Sequence, residues 1–148
     1  MFNYLMKSKV IIPIKLIKIE DDGFHLIIKI KINNKVAHLL VDSGASRTVF
    51  DINKKQKLIK EQILIKNKSL ATGLGTDNMI SHSSIIKKIS FNNHFISNYQ
   101  GYFIDLSLVN STYQKIKLKP IDGVIGNDIL KKYNAIIDYQ KLELRLLF

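Results

Sequence analysis

The sequence predicts a mostly-β single domain with two or three short helices, and three observations point there. Apolar residues alternate with lysines over Ile12–Ile19 and again through Ile28, Ile30 and Ile32, the two-residue period of a strand with one wet face. Turn pairs punctuate these runs at Asp22-Gly23, Asn33-Asn34 and Asn92-Asn93. The length of 148 residues suits one domain with its own core, and no repeat or linker divides it. The domain is expected to span 1–148, with a core over about 10–148 and residues 1–9 as a flexible amino-terminal segment.

The elements come in order. A strand over Ile12–Ile19 turns at Asp21-Asp22-Gly23 into a second, Phe24–Ile32. Asn33-Asn34 then leads into a third, Val36–Val41, which runs straight into Asp42-Ser43-Gly44. Asp51 has an N-cap side chain and opens a short, Lys-rich helix over about 52–60. A strand over 62–70, a glycine-bearing tip at Thr72-Gly73-Leu74-Gly75-Thr76 and a strand over 79–90 come next. Residues 94–105 read as a further strand and 107–114 as a helix. An apolar run, Ile121–Ile125, precedes a short helix opening at Asn127-Asp128, and strands over 134–139 and 141–147 close the chain.

Composition excludes several classes. Apolar residues at 46% beside charged residues at 24% rule out a disordered chain. The absence of cysteine removes disulfides, thiolate zinc sites, iron–sulfur clusters and a cysteine nucleophile together. The four histidines (His25, His38, His82 and His94) lack the i, i+4 spacing of a helical zinc site. The net charge of +11 comes from 21 lysines spread along the chain, against two arginines, Arg47 and Arg145. A nucleic-acid binder gathers its bases on one face and uses arginine, so no nucleic-acid partner is expected. The stretch Asn53-Lys54-Lys55-Gln56-Lys57 reads as a solvated helix face. The amino terminus resembles a basic leader, yet Pro13, Lys15 and Lys18 interrupt the apolar stretch next to it and no small-residue cleavage site appears. No apolar run reaches 18 residues, so no membrane span is expected, and the default location is cytoplasmic.

Chemistry concentrates in Leu39-Leu40-Val41-Asp42-Ser43-Gly44-Ala45-Ser46. An apolar strand removes water and delivers a carboxylate rigidly. The hydroxyl of Ser43 offers a hydrogen bond to backbone, and Gly44 lets backbone N–H groups approach the carboxylate without a Cβ in the way. Taken alone, the tripeptide also suits an ordinary turn.

The segment resembles the Asp-Thr/Ser-Gly-Ala motif of the single-lobed, retropepsin-like aspartic proteases, bacterial members included. A second block, Asp122-Gly123-Val124-Ile125-Gly126-Asn127-Asp128-Ile129-Leu130, is similar to the family's apolar-apolar-Gly motif and the short helix after it. Ala135–Tyr139 and Leu142–Leu144 resemble its closing hairpin, so the likeness covers roughly residues 10–148. It implies an acid-protease half-barrel with a flap hairpin, the flap being Thr72, Gly73, Leu74, Gly75 and Thr76. It also implies that Asp42 is the water-activating acid/base, that Ser43 and Gly44 orient it, and that Ala45 lines the floor beside the substrate. Gly126 would be a structural glycine packed beneath the loop. No metal or organic cofactor is implied. Two departures stand out: Ser43 replaces the commoner Thr, and the flap tip lacks an aromatic residue. Residues 106–119 are extra relative to the smallest members and either shape the pocket or brace the sheet.

Carboxylate hydrolysis of a peptide bond needs two acids, and the chain has one such motif. Asp122, Asp128 and Asp138 lack the following hydroxyl-Gly and read as turn or cap residues. The expectation is therefore a homodimer joining Asp42 to its symmetry mate, acting as an endopeptidase on peptide or protein substrates. The apolar tail Leu142–Phe148 suits interleaving between subunits, or pairing within its own. The alternative function is a catalytically weak or inactive module of the same fold that binds a peptide or partner in its groove.

Overall fold

The computed structural model describes residues 6–67 and 80–148. Ten strands form one continuous system: β1 (Lys9–Glu20), β2 (Gly23–Ile32), β3 (Lys35–Val41), β4 (Val49–Asp51), β5 (Ile65–Asn67), β6 (Ser81–Phe91), β7 (His94–Ile104), β8 (Gly123–Ile125), β9 (Ile136–Asp138) and β10 (Glu143–Leu147). Three helices, α1 (Lys55–Leu58), α2 (Ser107–Lys115) and α3 (Asn127–Lys132), and a 3-10 turn at Ile52–Lys54 interrupt them. No helix among the described residues is long and apolar enough to cross a membrane.

The expected half-barrel is a closed ring of six strands in the order β2-β3-β8-β4-β7-β6. It closes where β6 returns to β2, with Lys31 opposite Ser90 and Ile32 opposite Ile89. The alternation read from the sequence explains which side faces in. Ile28, Ile30 and Ile32 of β2 and Ala37, Leu39 and Val41 of β3 are buried, while Lys29, Lys31 and Lys35 are exposed. Phe50, Phe91 and Phe103 fill the interior with Ile86 and Ile89. The asparagine turn after β2 takes the left-handed backbone that suits this residue, with φ 47° at Asn33 and 66° at Asn34.

Some expectations shift. β4 was not anticipated: it is three residues long, and it exists because it pairs parallel to β7 and antiparallel to β8. The helix expected over 52–60 is a 3-10 turn and then a single helical turn ending at Leu58, and Lys60 adopts a left-handed φ of 53°. The amino-terminal segment is taken into the sheet two residues early, because Ser8 exchanges backbone hydrogen bonds with Phe148 (2.8 and 2.9 Å). Of the two pairings open to the tail, the chain shows the internal one: β10 lies between its own β1 and β9, and Phe148 stacks on Tyr133 at 4.3 Å. The additional segment around 106–119 braces the barrel, with buried Tyr113 of α2 packed beside Ile27, Ile104 and Val124 and bonded to His25 Nδ1 at 2.6 Å. The strand expected over 62–70 is β5 within the described residues, and the tip Thr72–Thr76 lies outside them.

Asp122 is neither a turn nor a cap residue. It enters β8 with its side chain buried, accepting from His38 N–H and from Lys57 Nζ, both at 2.8 Å. Burial holds the His38 imidazole below its ordinary value of 6.5; Asp122 opposes this, while Lys57, Lys119 and Lys29 reinforce it. The unfolded chain therefore binds a proton at His38 more readily than the folded one, and stability is lost as pH falls through about 6.5. Thermal unfolding at pH 8 and pH 5 is expected to show a lower Tm at the acid value, with a smaller drop in His38→Gln. Equal drops in both proteins would remove His38 as a source.

Candidate active site

The site is built where β8 slides between two strands that are consecutive in the chain. β3 pairs parallel with β8 on one side (Val41 opposite Ile125), and β4 pairs antiparallel on the other (Val49 opposite Val124). The connection from Asp42 to Thr48 must therefore pass over the end of β8. That crossing is crowded. A Cβ on Gly126 would lie 2.6 Å from the Arg47 carbonyl and 2.9 Å from that of Ala45. At the other end of β8, a Cβ on Gly123 would lie 2.5 Å from the Val49 carbonyl. Only glycine admits backbone at these separations.

Asp42 tops this crossing and is exposed. Its N–H donates to Ile125 O (3.1 Å), and its own carbonyl accepts from Ala45 N–H (3.1 Å), so the loop closes as a tight turn. Gly44 N–H donates to Asp42 Oδ1 at 2.8 Å, which fixes the carboxylate's orientation. A Cβ on Gly44 would sit 3.1 Å from that same oxygen, so the close approach expected at this glycine is present. Ser43 and Gly44 are exposed, and Ala45 is half-buried. Asn127, the first residue of α3, ties the loop down twice: its Nδ2 donates to Ser43 O (2.6 Å) and its N–H to Ala45 O (2.9 Å).

A second tier lies beneath. Thr48 is fully buried, and its hydroxyl accepts from Gly126 N–H (3.0 Å) while donating to Asp128 Oδ1 (2.8 Å). Thr48 N–H donates to the same oxygen at 2.8 Å, and Tyr99 Oη donates to Oδ2. Asp128 is thus no cap; the cap position of α3 is Gly126, with no side-chain capping bond. Burial and the bond to Asp128 push the Tyr99 phenol well above its ordinary range, so it stays a donor. Sequence reading missed Thr48, Tyr99 and the role of Asn127, whose partners lie far away along the chain. The available signal was the placement of Asn127-Asp128 directly after Gly126.

Asp122, Asp51 and Asp138 are engaged away from this loop. Asp122 is paired with Lys57, and buried Asp51 accepts from Asn53 and Asn110 side chains. Asp138 accepts from the N–H groups of Gln140 and Lys141 (2.9 Å each), as its turn position suggested, and from Arg145 (2.7 Å). The Lys141 bond, the Gln140 bond and Arg145 hold its carboxyl below the usual range.

Comparison with known proteins bears on both fold and site. No curated protein matches in sequence. The fold is similar to the crystal structure of a retropepsin-like aspartic protease from Rickettsia conorii, with a TM-score of 0.56 and 18% identity over 96% of this chain and 92% of that one. It is also similar to the retroviral protease-like domain of Ddi1 from Leishmania major, with a TM-score of 0.52 and 17% identity over 84% of this chain and 94% of that one. The aspartyl protease family model matches residues 28–129, which contain β3, the Asp42 loop, β8 and the start of α3. With more than half of its length inside that match and a retropepsin-like barrel around the loop, this chain belongs to the aspartyl protease family.

Proposed function

We propose that the protein is an aspartic endopeptidase whose catalytic pair is Asp42 and the Asp42 of a second subunit. The observation that carries this is the Asp42-Ser43-Gly44 loop, with an exposed carboxylate oriented by Gly44 N–H and anchored from below by Asn127. Asp51, Asp122, Asp128 and Asp138 are bonded to other groups and none is followed by hydroxyl-Gly, which supports a second acid supplied by a symmetry mate. Two carboxylates about 3 Å apart cannot both ionise, so the pair shares one proton and titrates as a unit. The ionised member takes a proton from water as the water oxygen attacks the scissile carbonyl carbon. The protonated member gives its proton to the carbonyl oxygen. Collapse of the tetrahedral species breaks the C–N bond, the leaving nitrogen takes up a proton, and acid and amine are released with the pair restored. Ser43 and Gly44 hold the loop, Ala45 lines the floor, and Thr72–Thr76 cover the substrate and exclude water.

Asp42→Asn is expected to lower peptide cleavage by about 10²–10⁴-fold while leaving the fold intact. A peptide library assayed from pH 4 to 8 is expected to give an acidic optimum, because one proton must stay on the pair. Cleavage unchanged in the variant, or rising steadily above neutral pH, would contradict the shared-proton pair. Thr48→Val keeps the shape but strands Gly126 N–H, which should cost about 1–3 kcal/mol in chemical unfolding. It should also lower kcat more than it raises KM, since the loop loses position and not substrate contacts.

A further inference from the structure

The chain's two arginines are used differently. Arg145 is paired with Asp138 at 2.7 Å. Arg47, in the loop that begins at Asp42, is exposed and has no ion pair among the described residues. Its place is nevertheless fixed. Its carbonyl packs so closely on Gly126 that a Cβ there would lie 2.6 Å away, and the next N–H, that of Thr48, donates to Asp128 Oδ1 at 2.8 Å. The guanidinium carbon stands 5.0 Å from the centre of the Tyr102 ring. Cation–π attraction holds such a group flat on an aromatic face, and its N–H edge remains available to a carboxylate. A lysine would offer a point charge without that fork.

Tyr102 places this cation against the cleft. Residues directly opposite on paired strands share a face of the sheet. Val49, Tyr102, Ser83 and Ile65 stand opposite one another in turn across β4, β7, β6 and β5. The row starts on the strand that follows the Asp42 loop and ends on the strand that leads toward Thr72–Thr76. Val49 packs in the same cluster as Ala45, the residue assigned to the substrate floor. None of the four side chains in the row is charged. Asp128, in the tier below, accepts from Thr48 and Tyr99 and forms no ion pair with Arg47. A peptide entering here meets one oriented guanidinium over an uncharged row.

We infer that Arg47 selects substrates carrying an acidic residue near the scissile bond, whose carboxylate it forks. This rests on the endopeptidase reading and gives it a substrate class. The backbone from Asp42 to Arg47 spans at most about 17 Å. That is the length of about five residues of extended peptide, so the acid lies within about five positions of the cleaved bond. The net charge of +11 attracts any acidic peptide, but it has no preference for one position over the next.

Matched peptides carrying Glu, Gln or Lys at each position in turn test this at about pH 6, where glutamate is ionised. Wild type is expected to show one position at which Glu raises kcat/KM about tenfold over Gln. Arg47→Gln should bring that ratio close to one, and Arg47→Glu should turn the preference at the same position to Lys. A Glu preference that is equal at every position, absent from wild type or retained in Arg47→Gln overturns the assignment. Binding of the same peptides to Asp42→Asn, followed by fluorescence anisotropy, separates this from the hydrolase reading. If wild type cleaves none of them, yet the Glu peptide binds about tenfold more tightly than the Gln peptide and loses that advantage with Arg47→Gln, the endopeptidase reading fails and Arg47 still recognises acidic peptides. Equal cleavage and equal binding of the Glu and Gln peptides remove Arg47 as a determinant.

Discussion

The structure depends on backbone crowding at one crossing. β8 occupies the space between β3 and β4, and the chain joining those two strands has nowhere to go but over its end. Glycine at each end of β8 makes this possible: at Gly126 the carbonyls of Arg47 and Ala45 come closer than any side chain allows, and at Gly123 the Val49 carbonyl does the same. A loop wedged in this way has little freedom. Its conformational entropy is lost on folding, so orienting the carboxylate later incurs no second penalty. The exposed acid sits on a closely constrained backbone, as a positioned group requires.

Hydrogen bonds divide this task by depth. Near the surface, Asn127 and Gly44 hold the loop with donors aimed at carbonyl and carboxylate oxygens. Below, Thr48, Asp128 and Tyr99 form a chain in which donor and acceptor roles are determined: the phenol donates, the carboxylate accepts three times, and the Thr48 hydroxyl both accepts and donates. Asp128 has no cation bonded to it among the described residues, so the three donors carry its charge. A buried network satisfied throughout rigidifies the elements it supports, and here it links β7, the loop and α3.

Much of this was legible in the sequence, and the missing parts share a cause. Period-two alternation and asparagine turns located β1, β2, β3, β6 and β7, because those signals are local to each strand. Asp42-Ser43-Gly44 stood out for the same reason. β4 was invisible because three residues carry no period; its identity comes from β7 and β8, which arrive much later in the chain. Asp128 is spelled like a helix opener, and its true partners lie 80 and 29 residues away. Asp122 precedes a glycine as a turn residue would, yet it is buried against a lysine from α1. In each case a residue's local grammar was right for some protein, and a long-range contact decided its use in this one.

Charge constrains the assembly as firmly as geometry does. The chain carries +11 at neutral pH. Two copies brought together therefore repel. Salt screens charges beyond roughly 8 Å at physiological strength, so the penalty is set mainly by residues at the contact itself. Much of the barrel's outer surface presents lysine: Lys29 and Lys31 on β2, Lys35 on β3, and Lys54, Lys55 and Lys57 around α1. The stretch from Tyr133 to Gln140 presents none, and it adjoins the Asp42 loop. Like-charge repulsion toward a cationic neighbour is thus lower beside the Asp42 loop than over the lysine-bearing strands.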